Sequence, residues 1–88
     1  MHNRKQIVDD LSIYVREHFD IEDSDPDFGP DVHLYDYGYV DSFGAEELLA
    51  HVEKAYGVTI DEGTMLRHPL NTLGEIAEFV ATSAGGAA

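Results

Sequence analysis

Apolar positions along the chain fall into three stretches of helical spacing, separated by sequence without periodicity. Over residues 5–19, Ile7, Val8, Leu11, Val15 and Phe19 recur at helical intervals, with Tyr14 and His18 flanking the stripe, and predict a first helix. Over residues 42–56, a step of about 100° per residue puts Ala45, Leu48, Leu49, Val52, Ala55 and Tyr56 on one face, and Gly57 follows where a helix ends in a left-handed residue. The third stretch opens with Thr72-Leu73-Gly74-Glu75, the T-x-x-E form of a capping box, and continues with Leu73, Ile76, Ala77 and Val80, flanked by Phe79. Residues 58–68 hold enough apolar side chains to dock, but Gly63 within and Pro69 after them limit this stretch to one or two turns. The pattern has no strand-like alternation and no repeat, so it predicts an all-α fold: a small four-helix bundle of three main helices and a short third one.

A long loop, residues 20–41, separates the first two helices. Pro26, Gly29 and Pro30 among clustered carboxylates argue for irregular backbone, and loops of this length in compact domains are functional or disordered. Val32, Leu34 and Tyr37 are the candidates to pin it to the core. The whole reads as one domain over residues 1–83 with a mobile tail over 84–88.

Composition narrows the function. Eighteen acidic residues against five basic ones give a formal charge of -13, which repels nucleic acid and anionic membrane surfaces and favours protein partners with basic patches. The chain has no cysteine, so thiol chemistry must be imported and Cys-ligated zinc is excluded. No apolar run approaches the roughly 18 residues that span a bilayer, and the N-terminal residues lead into no signal-type stretch, so a cytoplasmic monomer is expected.

Candidate chemistry centres on the start of the second helix. Asp41 is a good N-cap residue and places Ser42 in the first turn, near unpaired amides and the positive end of the helix dipole, where a phosphodiester would be accommodated. Capping alone also explains the Asp-Ser pair. Phe43 falls opposite the buried stripe, beside Glu46, Glu47, Ala50 and Lys54. It is either a contact surface or a ring folded back on the loop, onto Tyr39. The D-x-D-x-D run from Asp23 fails as a calcium loop, because Phe28 stands where the turn glycine belongs and Leu34 where the bidentate acid belongs. The five histidines lack paired ligand spacing, and nothing around Ser42 matches a G-x-S-x-G turn, so neither a metal site nor an enzyme is expected.

The stretch Asp36-Tyr37-Gly38-Tyr39-Val40-Asp41-Ser42-Phe43-Gly44, followed by an amphipathic helix ending in Tyr56-Gly57-Val58, resembles the phosphopantetheine attachment region of acyl and peptidyl carrier proteins. The likeness extends to the order of helices over nearly the whole chain. Tyr39 and Val40 between the glycine and the Asp-Ser pair, Phe43 in place of leucine, and Gly44 bring it closer to free-standing D-alanyl and other aminoacyl carriers. The resemblance implies covalent phosphopantetheine on Ser42 and acyl or aminoacyl cargo held as a thioester. It also implies a phosphopantetheinyl transferase, an adenylating ligase or acyltransferase, and downstream biosynthetic enzymes as partners. Asp41, Phe43, Glu46, Glu47 and Glu53 would form the partner surface, and the carrier itself would catalyse nothing. The competing expectation is an acidic helical adaptor with no prosthetic group.

Overall fold

The computed structural model describes residues 3–22 and 24–87, with side chains described as far as residue 83. Four helices follow one another: α1 (Arg4–His18), α2 (Ser42–Tyr56), α3 (Glu62–Arg67) and α4 (Leu73–Ala87), and among the described residues there is no strand. The domain was expected to end at residue 83, but the backbone of α4 continues helical to Ala87; Ala88 lies outside the described residues.

Local chemistry opens and closes each helix. The Asn3 side chain accepts the Gln6 N–H at 2.8 Å to start α1, and Asp61 accepts from both the N–H and the hydroxyl of Thr64 to start α3. At α4 the capping box forms in both directions, Glu75 N–H to Thr72 Oγ1 at 3.0 Å and Thr72 N–H to Glu75 Oε1 at 3.1 Å. Gly57 closes α2 with φ of 68°, a conformation that costs other residues about 1 kcal/mol or more.

Helices α1 and α4 pack side by side, and the core collects Ile7, Leu11 and Val15 from the first with Leu73, Ile76, Ala77 and Val80 from the second, all fully buried. Helix α2 adds Leu48 and Val52. Its inward face differs from the expected one in two respects: Ala55 is exposed, and Gly44 is buried. A helical wheel ranks residues by side chain, so a glycine chosen for close approach does not register on it.

The irregular segment between α1 and α2 is tied down at many points. The Leu34 N–H donates to Asn71 O at 2.9 Å, the Gly74 N–H to Pro30 O at 2.8 Å, and the Tyr35 hydroxyl to Leu70 O at 3.2 Å, so the start of α4 and the loop hold each other. Of the expected pins only Leu34 is fully buried. Val32 is half-buried, Tyr37 is exposed, and Phe28 and Val40 fill the role instead. Phe28 is covered because the Arg16 guanidinium lies 4.6 Å over its ring and Tyr39 meets it edge-on at 5.4 Å.

Candidate functional site

The loop delivers the chain to α2 through a turn built on one carbonyl. The N–H groups of Tyr39 and Val40 both donate to Leu34 O, at 3.0 and 3.1 Å, and Gly38 at φ of 77° makes the reversal that lets them do so. The turn requires that left-handed residue, which explains a glycine upstream of the Asp-Ser pair. The Tyr39 hydroxyl donates to Asp25 at 3.1 Å. Partial burial, reinforced by the Asp25 carboxylate, raises its pKa and keeps that proton in place.

At the end of this turn Asp41 is the N-cap of α2: its carboxylate accepts the Gly44 N–H at 2.7 Å and its carbonyl the Ala45 N–H at 2.8 Å. Ser42 is therefore the first helical residue, and its side chain is exposed. The cap fixes the backbone while leaving the hydroxyl in solvent, at the positive end of the helix dipole.

Ser42 and Asp41 also line a groove of about 600 Å³ whose walls are chiefly apolar, with Val40, Ala45, Leu49, Met65 and Leu70 among the residues that line it. Sequence reading missed this groove. The available signal was that Ala45 and Leu49 lie at the edge of the α2 stripe and that α3 is too short to cover them.

The other expected site residues distribute unevenly. Phe43 is 76% exposed, and the ring partners of Tyr39 are Phe28 and Tyr37, so Phe43 does not fold back onto the loop. Glu46 and Glu47 are exposed on the same side, with Glu47 2.8 Å from His18 Nε2. Glu53 is half-buried and accepts the Ile60 N–H at 2.8 Å, which gives it a fixed task holding the link to α3. Two exposed apolar residues of α3 were not expected: Met65, 50% exposed beside the groove, and Leu66, 88% exposed.

Two further features bear on chemistry. The Tyr14 ring lies flat between His18 at 5.0 Å and His51 at 3.7 Å, across the α1–α2 seam, and burial, reinforced by the nearby His18, lowers the His51 pKa from 6.5. Among the described residues no group of three or more His, Cys, Asp or Glu side chains is placed to hold a metal ion, and no helix is long and apolar enough to cross a membrane. In the acidic loop Asp25 is already engaged, accepting from the Asp27 N–H and the Tyr39 hydroxyl.

A family model described as the phosphopantetheine attachment site matches residues 11–80, which span all of α2 and α3 and about half of α1 and α4. No curated protein and no solved structure matches the chain. The chain belongs to the phosphopantetheine attachment family: it is a carrier of covalently attached phosphopantetheine, and carrier domains of this family are non-catalytic. Such carriers work with phosphopantetheinyl transferases and biosynthetic enzymes.

Proposed function

We propose, from this membership, that Ser42 is the attachment residue and that the protein is a free-standing cytoplasmic carrier, monomeric, presenting acyl or aminoacyl thioesters to biosynthetic enzymes. The observation that carries the reading is the exposed hydroxyl of Ser42 at the capped N-terminus of α2, within the matched region and on the wall of the groove.

The residues present fit the group. In attachment, the Ser42 oxygen forms a bond to the pantetheine-bearing phosphorus of coenzyme A as the pyrophosphate P–O bond breaks. The adenosine bisphosphate leaves with the electron pair, and the hydroxyl proton passes to a base of the transferase, whose own magnesium balances the phosphate charge. The α2 N-terminus favours the resulting phosphodiester, and Asp41 holds the backbone of that turn. Once attached, the group supplies a terminal thiol for the cargo, which the chain lacks because it has no cysteine.

Phe43, Glu46 and Glu47 make the partner surface on α2, acids meeting basic patches and the aromatic ring filling a shallow pocket. Glu53 joins that surface only through the part of its carboxylate left free of the Ile60 amide. Two observations bear on the cargo. The groove beside Ser42 favours an acyl group with an apolar body that can lie along Leu49 and Met65. The Gly38 to Gly44 motif favours an amino acid. Offering both classes to the activating enzyme and weighing the loaded carrier distinguishes them. The adaptor reading, with no prosthetic group, loses its ground with the family match.

The test is intact mass. Incubation with a phosphopantetheinyl transferase and coenzyme A is expected to add about 340 Da to the chain, the mass of one arm. Ser42→Ala is expected to add nothing; a Ser42→Ala protein that still gains the arm overturns the assignment.

A further inference from the structure

Gly44 has helical backbone and is absent from the residues with positive φ, so its backbone angles do not demand glycine. Close approach does. A β-carbon placed on Gly44 would stand 2.5 Å from Cε1 and 3.1 Å from Cζ of Phe19, and 3.2 Å from Cγ1 of Val40. Carbon atoms pack best at about 3.5–4.0 Å, so the Phe19 ring is seated directly on the bare α2 backbone. Glycine is a poor helix former, and its presence in the first turn of α2 works against helix stability.

Both partners of the contact are themselves held. Phe19 is the C-cap of α1, with its N–H on Val15 O at 2.9 Å and its ring meeting His18 edge-on at 4.9 Å. Val40 is almost fully buried, and its N–H is bound to Leu34 O. Gly44 lies two residues beyond Ser42 and supplies the N–H that Asp41 caps. The end of α1 and the end of the loop thus grip the same short piece of backbone from which the Ser42 hydroxyl projects.

We propose that Phe19 and Gly44 are a positioning pair, a flat ring on a bare backbone that sets where the first turn of α2, and with it the Ser42 oxygen, stands for phosphopantetheine transfer. The proposal rests on Ser42 being the attachment residue. Neither member touches the reacting atoms; both act through the placement of Ser42. A methyl group on residue 44 displaces the ring or the turn. The outer face of α2, which the transferase recognises, keeps its residues.

The test follows transfer to the full chain by mass, with coenzyme A, magnesium and a phosphopantetheinyl transferase. Gly44→Ala is expected to lower kcat about ten- to hundredfold, as sub-ångström to ångström misplacement of a reacting group does, with KM for the carrier nearly unchanged. Adding Phe19→Leu to Gly44→Ala removes the Cε and Cζ atoms that the new methyl meets, and is expected to restore kcat. A weakening with any cause other than this contact would not be relieved by trimming Phe19, and the thermal stability of each variant is measured alongside so that the fall in kcat is read at temperatures where variant and wild type are both folded. Should Gly44→Ala lose its helical circular dichroism, Phe19→Trp crowds the same contact with α2 intact and is expected to show the same fall in kcat. Wild-type kcat in the crowded variant, or a loss that Phe19→Leu does not relieve, overturns the proposal. Wild-type and Ser42→Ala proteins run alongside separate the two readings. If wild type gains the arm and Ser42→Ala does not, the kcat result bears on the pair alone; any other pattern fails the attachment assignment, and the pair falls with it.

Discussion

Helix α4 and the first turn of α2 are both opened by a side-chain cap, and their apolar residues go to opposite places. The Thr72–Glu75 box starts a helix whose Leu73, Ile76, Ala77 and Val80 are wholly buried against α1. The Asp41 cap starts a helix whose second residue, Phe43, is 76% exposed, next to a serine in solvent. In α4, apolar side chains hold the bundle together. At the start of α2 the backbone is held by Phe19, Val40 and Asp41, which leaves the side chains there free for partners. Under the proposed function, stability and partner contact fall at different helix ends, and substitutions in the two regions should differ in kind.

The largest expected effect is in α4. Leu73→Ala is expected to cost about 2–5 kcal/mol, read from urea denaturation, because a fully buried leucine is replaced by a cavity. Next, Thr72→Ala removes the hydroxyl that accepts the Glu75 N–H and is expected to cost about 1 kcal/mol by the same measurement. A value near zero would mean that the box is dispensable and the α4 end less firmly capped than its geometry implies.

A smaller effect should appear with pH at the α1–α2 seam. Burial lowers the pKa of His51 below 6.5, so on acidification the unfolded chain takes up that proton first. The stability associated with neutral His51 is present above about pH 6.5 and is lost as pH falls below it. The His51→Gln variant is expected to show a shallower decline in melting temperature between about pH 7 and 5. An unchanged decline would assign the effect elsewhere. Smallest of all on stability, Phe43→Ala is expected to leave the unfolding free energy within the ordinary surface range of about ±0.5 kcal/mol while slowing turnover by partner enzymes. A large stability loss there would erase the contrast with α4.

The same contrast decides what could be read in advance. The start and the inward stripe of α4 were legible residue by residue, because the box and the run of Leu73, Ile76, Ala77 and Val80 each carry a local signal; its far end, at Ala87, was not, because Gly85 and Gly86 read as a tail. The bounds of α2 were legible from Asp41 and Gly57 for the same reason. The burial of Gly44 was not, since a residue without a side chain leaves no mark on a hydrophobic pattern, and its partner Phe19 is 25 positions away. The anchoring of the loop by Phe28 and Val40, through Arg16, Tyr39 and Leu34, depends on contacts between elements that no local period encodes. The exposure of Met65 and Leu66 follows from a six-residue α3 that cannot turn every apolar residue inward. Of the candidate site, the place of Ser42 in the first turn of α2 and the exposure of Phe43 were legible from the cap residue and the helical wheel. The groove beside them became visible only when α2, α3 and the loop were assembled.

The account turns on where the arm is attached, and fragmentation mass spectrometry of the transferase-treated chain tests this directly. Proteolysis at Arg16 and Lys54 releases one peptide that holds both Ser24 and Ser42, so backbone fragments assign the added mass to one hydroxyl or the other. The account predicts the whole increment on Ser42. An increment on Ser24, or on any residue outside that peptide, would contradict it.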